Sequence, residues 1–130
     1  MNEKATENVR EVGGQHRVLA GPLVNVDLQA ELRWLESEQP WQAEHTAHTI
    51  VKYPDLRIVL IAIKAGGRLK EHRTAGRVSI HALSGEFEIR ADNQLIEMAA
   101  GKLLALDHNV LHEVEAKTDS ILLLTIVSPQ

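Results

Sequence analysis

At 130 residues the chain is long enough for one domain that buries roughly two-thirds of its unfolded surface. Its 44% hydrophobic and 25% charged residues exclude wholesale disorder and a fibrous repeat. A net charge of −4, and only Trp34, Trp41, Tyr53 and Phe87 as aromatic residues, exclude a phosphate-binding surface and a base-stacking one, so nucleic acid is not an expected partner. The absence of cysteine removes disulfides, cysteine-based zinc sites and a thiol nucleophile.

Residues 1–17 carry Glu3, Lys4, Glu7, Arg10 and Glu11 with little apolar clustering. They lack the apolar middle of a secretory signal and read as a mobile tail. The longest apolar runs, Ile58 to Ile63 and Ile121 to Leu124, are strand-sized, so no membrane span is expected and the protein reads as soluble and cytoplasmic. Val18 to Val26, broken by Gly21-Pro22, reads as an extended segment that adds to a sheet edge. Asp27 is a helix N-cap, and Leu28, Leu32 and Leu35 recur on one helical face until Gln39-Pro40 stops the pattern. Residues 18–44 thus form a segment and short helix that pack on the remainder of the chain, with Trp34 or Trp41 near the helix end.

From residue 45 to residue 130 the texture is short β-branched runs: Thr49 to Lys52, Leu56 to Lys64, Val78 to Leu83, Glu86 to Arg90, Leu95 to Met98, Lys102 to Leu106, Val110 to Ala116 and Ile121 to Val127. Turn residues separate them, among them Pro54-Asp55, Gly66-Gly67, Ser84-Gly85, Asp92-Asn93 and Asp107-His108-Asn109. Short strands at this cadence without intervening helices mean an all-β antiparallel sandwich or barrel. Leu56 to Ile63 is apolar at nearly every position after Arg57 and needs cover on both faces: the barrel interior on one, the helix or a second subunit on the other.

One arrangement is more specific. Gly66, His72 and Gly85 stand at the spacing of G-x5-H-x-H-x3-E-x6-G, and Gly101 and His112 at that of G-x5-P-x-G-x2-H-x3-N. With both motifs in order, the chain resembles the cupin family from about Thr49 to Val127. The resemblance implies a double-stranded β-helix barrel, a small-molecule ligand and a homodimer. It also implies a metal held by two histidines and a glutamate of the first motif and one histidine of the second. Here the second histidine position is Thr74 and the glutamate position is Val78, while Asp107, Asn109 and Ala116 replace the proline, glycine and asparagine of the second motif. Asn109 tolerates the positive φ that glycine would adopt. Threonine is a weak metal donor and valine is none, so half of the implied ligands are absent.

The pocket residues implied by the resemblance are His72, Thr74, Val78 and His112, with His72 and His112 inside the barrel mouth. Alternation places Lys70, His72 and Thr74 on one strand face and Val110, His112 and Val114 on another, turning Glu71 and Glu113 away. Two facing imidazoles without a metal repel when both are protonated, so one is expected to titrate below its free value near 6.5. As a third metal ligand His48 is the more open candidate and His81 the weaker, since alternation turns His81 away from the glutamate position. His108 reads as a solvent-exposed turn residue. Arg73 and Arg77 flank Ala75-Gly76, where a loop brings a guanidinium toward the mouth and favours an acidic ligand, unless the loop is merely solvated.

The sequence therefore reads as a small cupin that binds a small molecule in its barrel with an incomplete metal-ligand set, and a divalent metal is left open as its cofactor. The first alternative is a metal-dependent oxygenase, isomerase or detoxifying enzyme holding iron, manganese, nickel or zinc on His72, His112 and a further donor. The second is a non-enzymatic sensor or interaction module. Whether the chain is an enzyme, and on what, stays open at this level.

Overall fold

Residues 18–128 are described by a computed structural model, and the expected tail at 1–17 lies outside them. In chain order the elements are α1 (Leu28–Ser37), β1 (His45–Lys52), β2 (Leu56–Ile63), β3 (Arg68–His72), β4 (Arg77–Ser84), β5 (Glu86–Ala91), β6 (Gln94–Ala99), β7 (Leu103–Leu106), β8 (His112–Ala116) and β9 (Ser120–Val127). The strands form a five-stranded sheet of order β1-β2-β9-β4-β7 and a four-stranded sheet of order β3-β8-β5-β6. Every pairing in both sheets is antiparallel. No described helix is long and apolar enough to cross a membrane.

The β2 sequence explains the layering. Val59, Ile61 and Ile63 face inward and join Val78, Ile80 and Leu122 of their own sheet with Phe87, Ile89, Met98 and Val114 of the other. Leu60 and Ala62, on the alternate positions, face outward and join Leu35, Trp41, Ile50 and Ile121. A strand apolar on both faces is thus buried on both, by the second sheet and by α1. Leu60 is 0% exposed, and burying such a side chain stabilises the fold by about 1.5–3 kcal/mol over leaving it in water.

Helix α1 starts where expected: the Asp27 carboxylate accepts a hydrogen bond from the Ala30 amide at 3.2 Å, satisfying one of the free donors of the first turn. Leu35 is buried, with Leu28, Leu32 and Trp34 packed around it against the outer apolar layer. Trp41, just past the helix, is buried too, and its Nε1 donates to the Leu35 carbonyl at 2.9 Å.

Several expectations are corrected. The segment at 18–26 is not a strand; it meets the sheet edge through one backbone bond, Lys52 N–H to the Leu19 carbonyl at 2.8 Å, and Tyr53 Oη donates to the Gly21 carbonyl at 2.6 Å. Pro22 has no N–H to continue a ladder there. Strand β1 starts four residues earlier than expected, because Leu60–Ile63 of β2 pair with His45–His48 although those residues carry no strong apolar signal. Strand β8 starts at His112 rather than Val110. The β5–β6 connection is the two-residue turn Asp92-Asn93, with φ 50° and 60°, the twist that a tight hairpin needs.

Candidate functional site

His72, the last residue of β3, and His112, the first of β8, are directly opposite each other in the four-stranded sheet. Their ring centroids lie 4.2 Å apart with the planes tilted by 58°. His112 is 3% exposed, whereas His72 is open to solvent, so the pair runs from the barrel interior to its mouth. Leu69 and Val110 flank it on the inner side, packed against the interior cluster.

The alternation expected along β3 does not hold. Leu69 pairs with Val114 and His72 with His112, so three steps on β3 match two on β8. This bulge inserts one extra residue and reverses the parity of the strand. His72 thereby shares the inward face with Leu69, and the expected grouping of Lys70, His72 and Thr74 on one face is broken. Without the bulge the two imidazoles would lie on opposite sides of the sheet.

Each ring is anchored by its own strand. His72 Nδ1 is 2.8 Å from the Lys70 carbonyl and His112 Nδ1 is 3.0 Å from the Val110 carbonyl. A carbonyl only accepts, so in both rings Nδ1 carries the proton and the neutral ring keeps its lone pair on Nε2. The site therefore offers two oriented imidazoles whose Nε2 atoms are not used by these anchors.

The other candidates are placed elsewhere. Thr74 donates its hydroxyl to the Gly76 carbonyl at 2.9 Å, and its own carbonyl accepts from the Asn109 amide at 2.8 Å. Asn109 does adopt positive φ, 62°. Val78 is 3% exposed within the interior cluster, paired with Leu106 and Ile126. His48 is buried, but its pairing partner Leu60 belongs to the outer layer and its ring meets Trp34 edge-on at 5.1 Å. It faces α1, across the sheet from the barrel interior, and is not a third ligand for the pair. His81 pairs with Leu123 of the outer layer, as alternation requires. His108 is exposed and 2.8 Å from the Asp107 carboxylate, which also takes Arg77 Nε at 2.9 Å. Glu113 points outward to Arg90 at 3.4 Å.

The metal implied by the motif resemblance is tested by this donor set. Imidazole-bound divalent ions generally require three or four protein donors. The pair supplies two nitrogens, Val78 none, and the Thr74 hydroxyl is committed to its own loop. Among the described residues no group of three or more His, Asp or Glu side chains is arranged to hold an ion. The residues present do not fit the metal site of the resembled motif.

The surroundings of His112 favour its neutral form, with burial rather than the facing imidazole as the larger cause. Burial holds the His112 imidazole below its ordinary value of 6.5, and the neighbouring His72 pushes it the same way, while the bond to the Val110 carbonyl opposes both. Unfolded chains bind this proton near 6.5 and folded ones only at lower pH. Stability from this group is therefore complete above 6.5, falls as pH drops toward the depressed folded value, and levels off below it. Urea unfolding at a series of pH values should show that decline in the native chain, and His112→Gln should flatten it.

No family model and no curated protein sequence matches the chain. Solved structures do. A cupin superfamily protein from Desulfitobacterium hafniense superposes with a TM-score of 0.70 at 13% identity, over 94% of this chain and 99% of that one. A conserved protein of unknown function from Streptococcus pyogenes gives 0.68 at 22% identity, over 89% and 96%. An RmlC-like cupin from Desulfovibrio desulfuricans gives 0.61 at 25% identity, over 85% and 94%.

Proposed function

The chain has the cupin fold, and from that premise we propose that it binds a small molecule at the barrel mouth through the His72–His112 pair, without a resident metal. The observation that supports this reading is the double anchoring of the rings: each Nδ1 proton goes to a carbonyl of its own strand, leaving two Nε2 acceptors for a ligand. A partner that presents hydrogen-bond donors, such as hydroxyl or ammonium groups, complements such a pair when it is neutral. The bulge that brings His72 inward is the kind of local feature that re-aims a side chain next to a site. The reading includes a cytoplasmic homodimer. Its support is the cupin resemblance, together with two exposed apolar side chains of the five-stranded sheet, Leu103 of β7 at 66% and Val127 of β9 at 50%.

The test is elemental analysis of protein purified without a metal-affinity tag, beside His72→Ala, followed by a thermal-shift screen of small polar compounds. The reading expects substoichiometric metal in both proteins. It also expects a compound that raises the melting temperature in a dose-dependent way, by about 2.7 kcal/mol of stability at a hundred times its Kd, with the effect lost in His112→Ala. Stoichiometric iron, manganese, nickel or zinc that disappears in His72→Ala would overturn it in favour of a metal-dependent enzyme. Silence across the whole screen would favour the non-enzymatic interaction module.

A further inference from the structure

A second concavity lies outside the barrel, between the C-terminal end of α1 and strand β1. Its volume is about 230 Å³, and Trp34, Leu35, Glu38, Trp41, Thr46 and His48 line it. The chain has only two tryptophans and both are here. Trp41, buried and bonded to the Leu35 carbonyl, forms the floor of the cleft, and the half-buried Trp34, edge-on to the buried His48, forms its open wall. His48 pairs with Leu60 of the outer layer, so the cleft is separated from the imidazole pair by the five-stranded sheet itself.

The electrostatic character of the cleft is one-sided. Among the described residues that line it, Glu38, the helix C-cap, is the only carboxylate, no lysine or arginine is present, and the one other titratable group is His48, whose ring packs against Trp34. Helix ends carry partial negative charge at the C-terminus, and the last turn of α1 has no basic residue to offset it. An anion is disfavoured by both features. A cation with a hard hydration shell would gain little from the indoles, whereas an alkylated ammonium is attracted to aromatic faces and loses little hydration. The volume is below the roughly 300–1,000 Å³ of sites for drug-sized ligands, which suits a trimethylammonium-sized headgroup.

We infer that the cleft formed by Trp34, Trp41 and Glu38 beside strand β1 is a binding site for a small alkylated ammonium cation, independent of the barrel site. Because the two tryptophans are the chain's whole indole complement, intrinsic fluorescence reports on the cleft directly. The experiment titrates the full chain with choline chloride at constant ionic strength, and in parallel with dimethylbutanol, the uncharged carbon isostere of choline. A saturable emission change with choline is expected, half-saturating at about tenfold lower concentration than any change with the alcohol. Glu38→Gln alters an exposed residue and should raise the half-saturating choline concentration about threefold. No saturable response to choline, equal response to the alcohol, or a Glu38→Gln titration that superimposes on the native one would each overturn the assignment.

Discussion

Gly76→Ala is expected to unfold the barrel mouth and to cost at least about 3 kcal/mol, measured by urea unfolding. The reason is space rather than backbone conformation. A Cβ built at Gly76 would overlap the Val127 carbonyl oxygen and lie 2.5 Å from its carbon. Both obstacles are backbone atoms at the end of β9, held by pairing to Arg77 on one side and Leu56 on the other. Neither can swing aside as a side-chain tip would. The β3–β4 loop must therefore lift off β9. With it would go the Thr74–Asn109 bond that ties this loop to the one before His112. Gly66→Ala is the comparison that separates the two roles of glycine. Gly66 has φ +82° but nothing within 4 Å of its Cβ position. It should lose only about 1–2 kcal/mol for the left-handed conformation. Ligand binding at the imidazole pair should weaken in Gly76→Ala at urea concentrations where Gly66→Ala is still intact.

How much of the molecule is legible in the sequence depends on which interactions are local. The β strands that show alternation, such as β5, or a strand-length apolar run, such as β2 and β9, between turn residues are legible because pleat and turn chemistry act over a few residues. The N-cap at Asp27 and the positive φ of Asn109 are legible for the same reason. Strand β3 is not among the apolar runs, since Leu69 is the one apolar residue between Arg68 and His72. Its bulge is invisible too, because a bulge is a relation between two strands and leaves no mark in the spacing of one. The pairing of His72 with His112 is signalled by the glycine-and-histidine frame, but the reason they share a face comes only from register. Thr74 and Val78 hold the positions expected of pocket residues in sequence. In the fold one serves its own loop and the other the core. His48 stays open as a third ligand in the sequence because the early half of β1 lacks the apolar pattern that would show its face. The Trp34–Trp41 cleft joins residues from a helix, a linker and a strand, a conjunction that only tertiary packing creates.

Leu60→Ala is the second large effect, and it bears on what covers the outer face of the five-stranded sheet. Leu60 is fully buried between Leu35, Trp41 and Ile50 rather than in the barrel interior. Truncation removes its contacts and leaves a cavity, a change that costs about 2–5 kcal/mol in well-packed cores. The sequence allows either the helix or a second subunit to cover this face. The observed layer, with Leu35 and Trp41 as its buried members from the α1 side, assigns the cover to the same chain. Two consequences differ between these covers. If α1 is the cover, the loss in Leu60→Ala is the same at every protein concentration, because no association step contributes to it. If a second copy supplied the cover, the unfolding midpoint would rise with concentration more steeply in the native chain than in the variant, and the variant's deficit would grow, because the stabilisation by mass action depends on an affinity that the truncation weakens. Urea unfolding of native and variant chains over a hundredfold range of concentration decides between them. A concentration-independent deficit assigns the cover of this face to α1 and leaves any homodimer to a surface away from it.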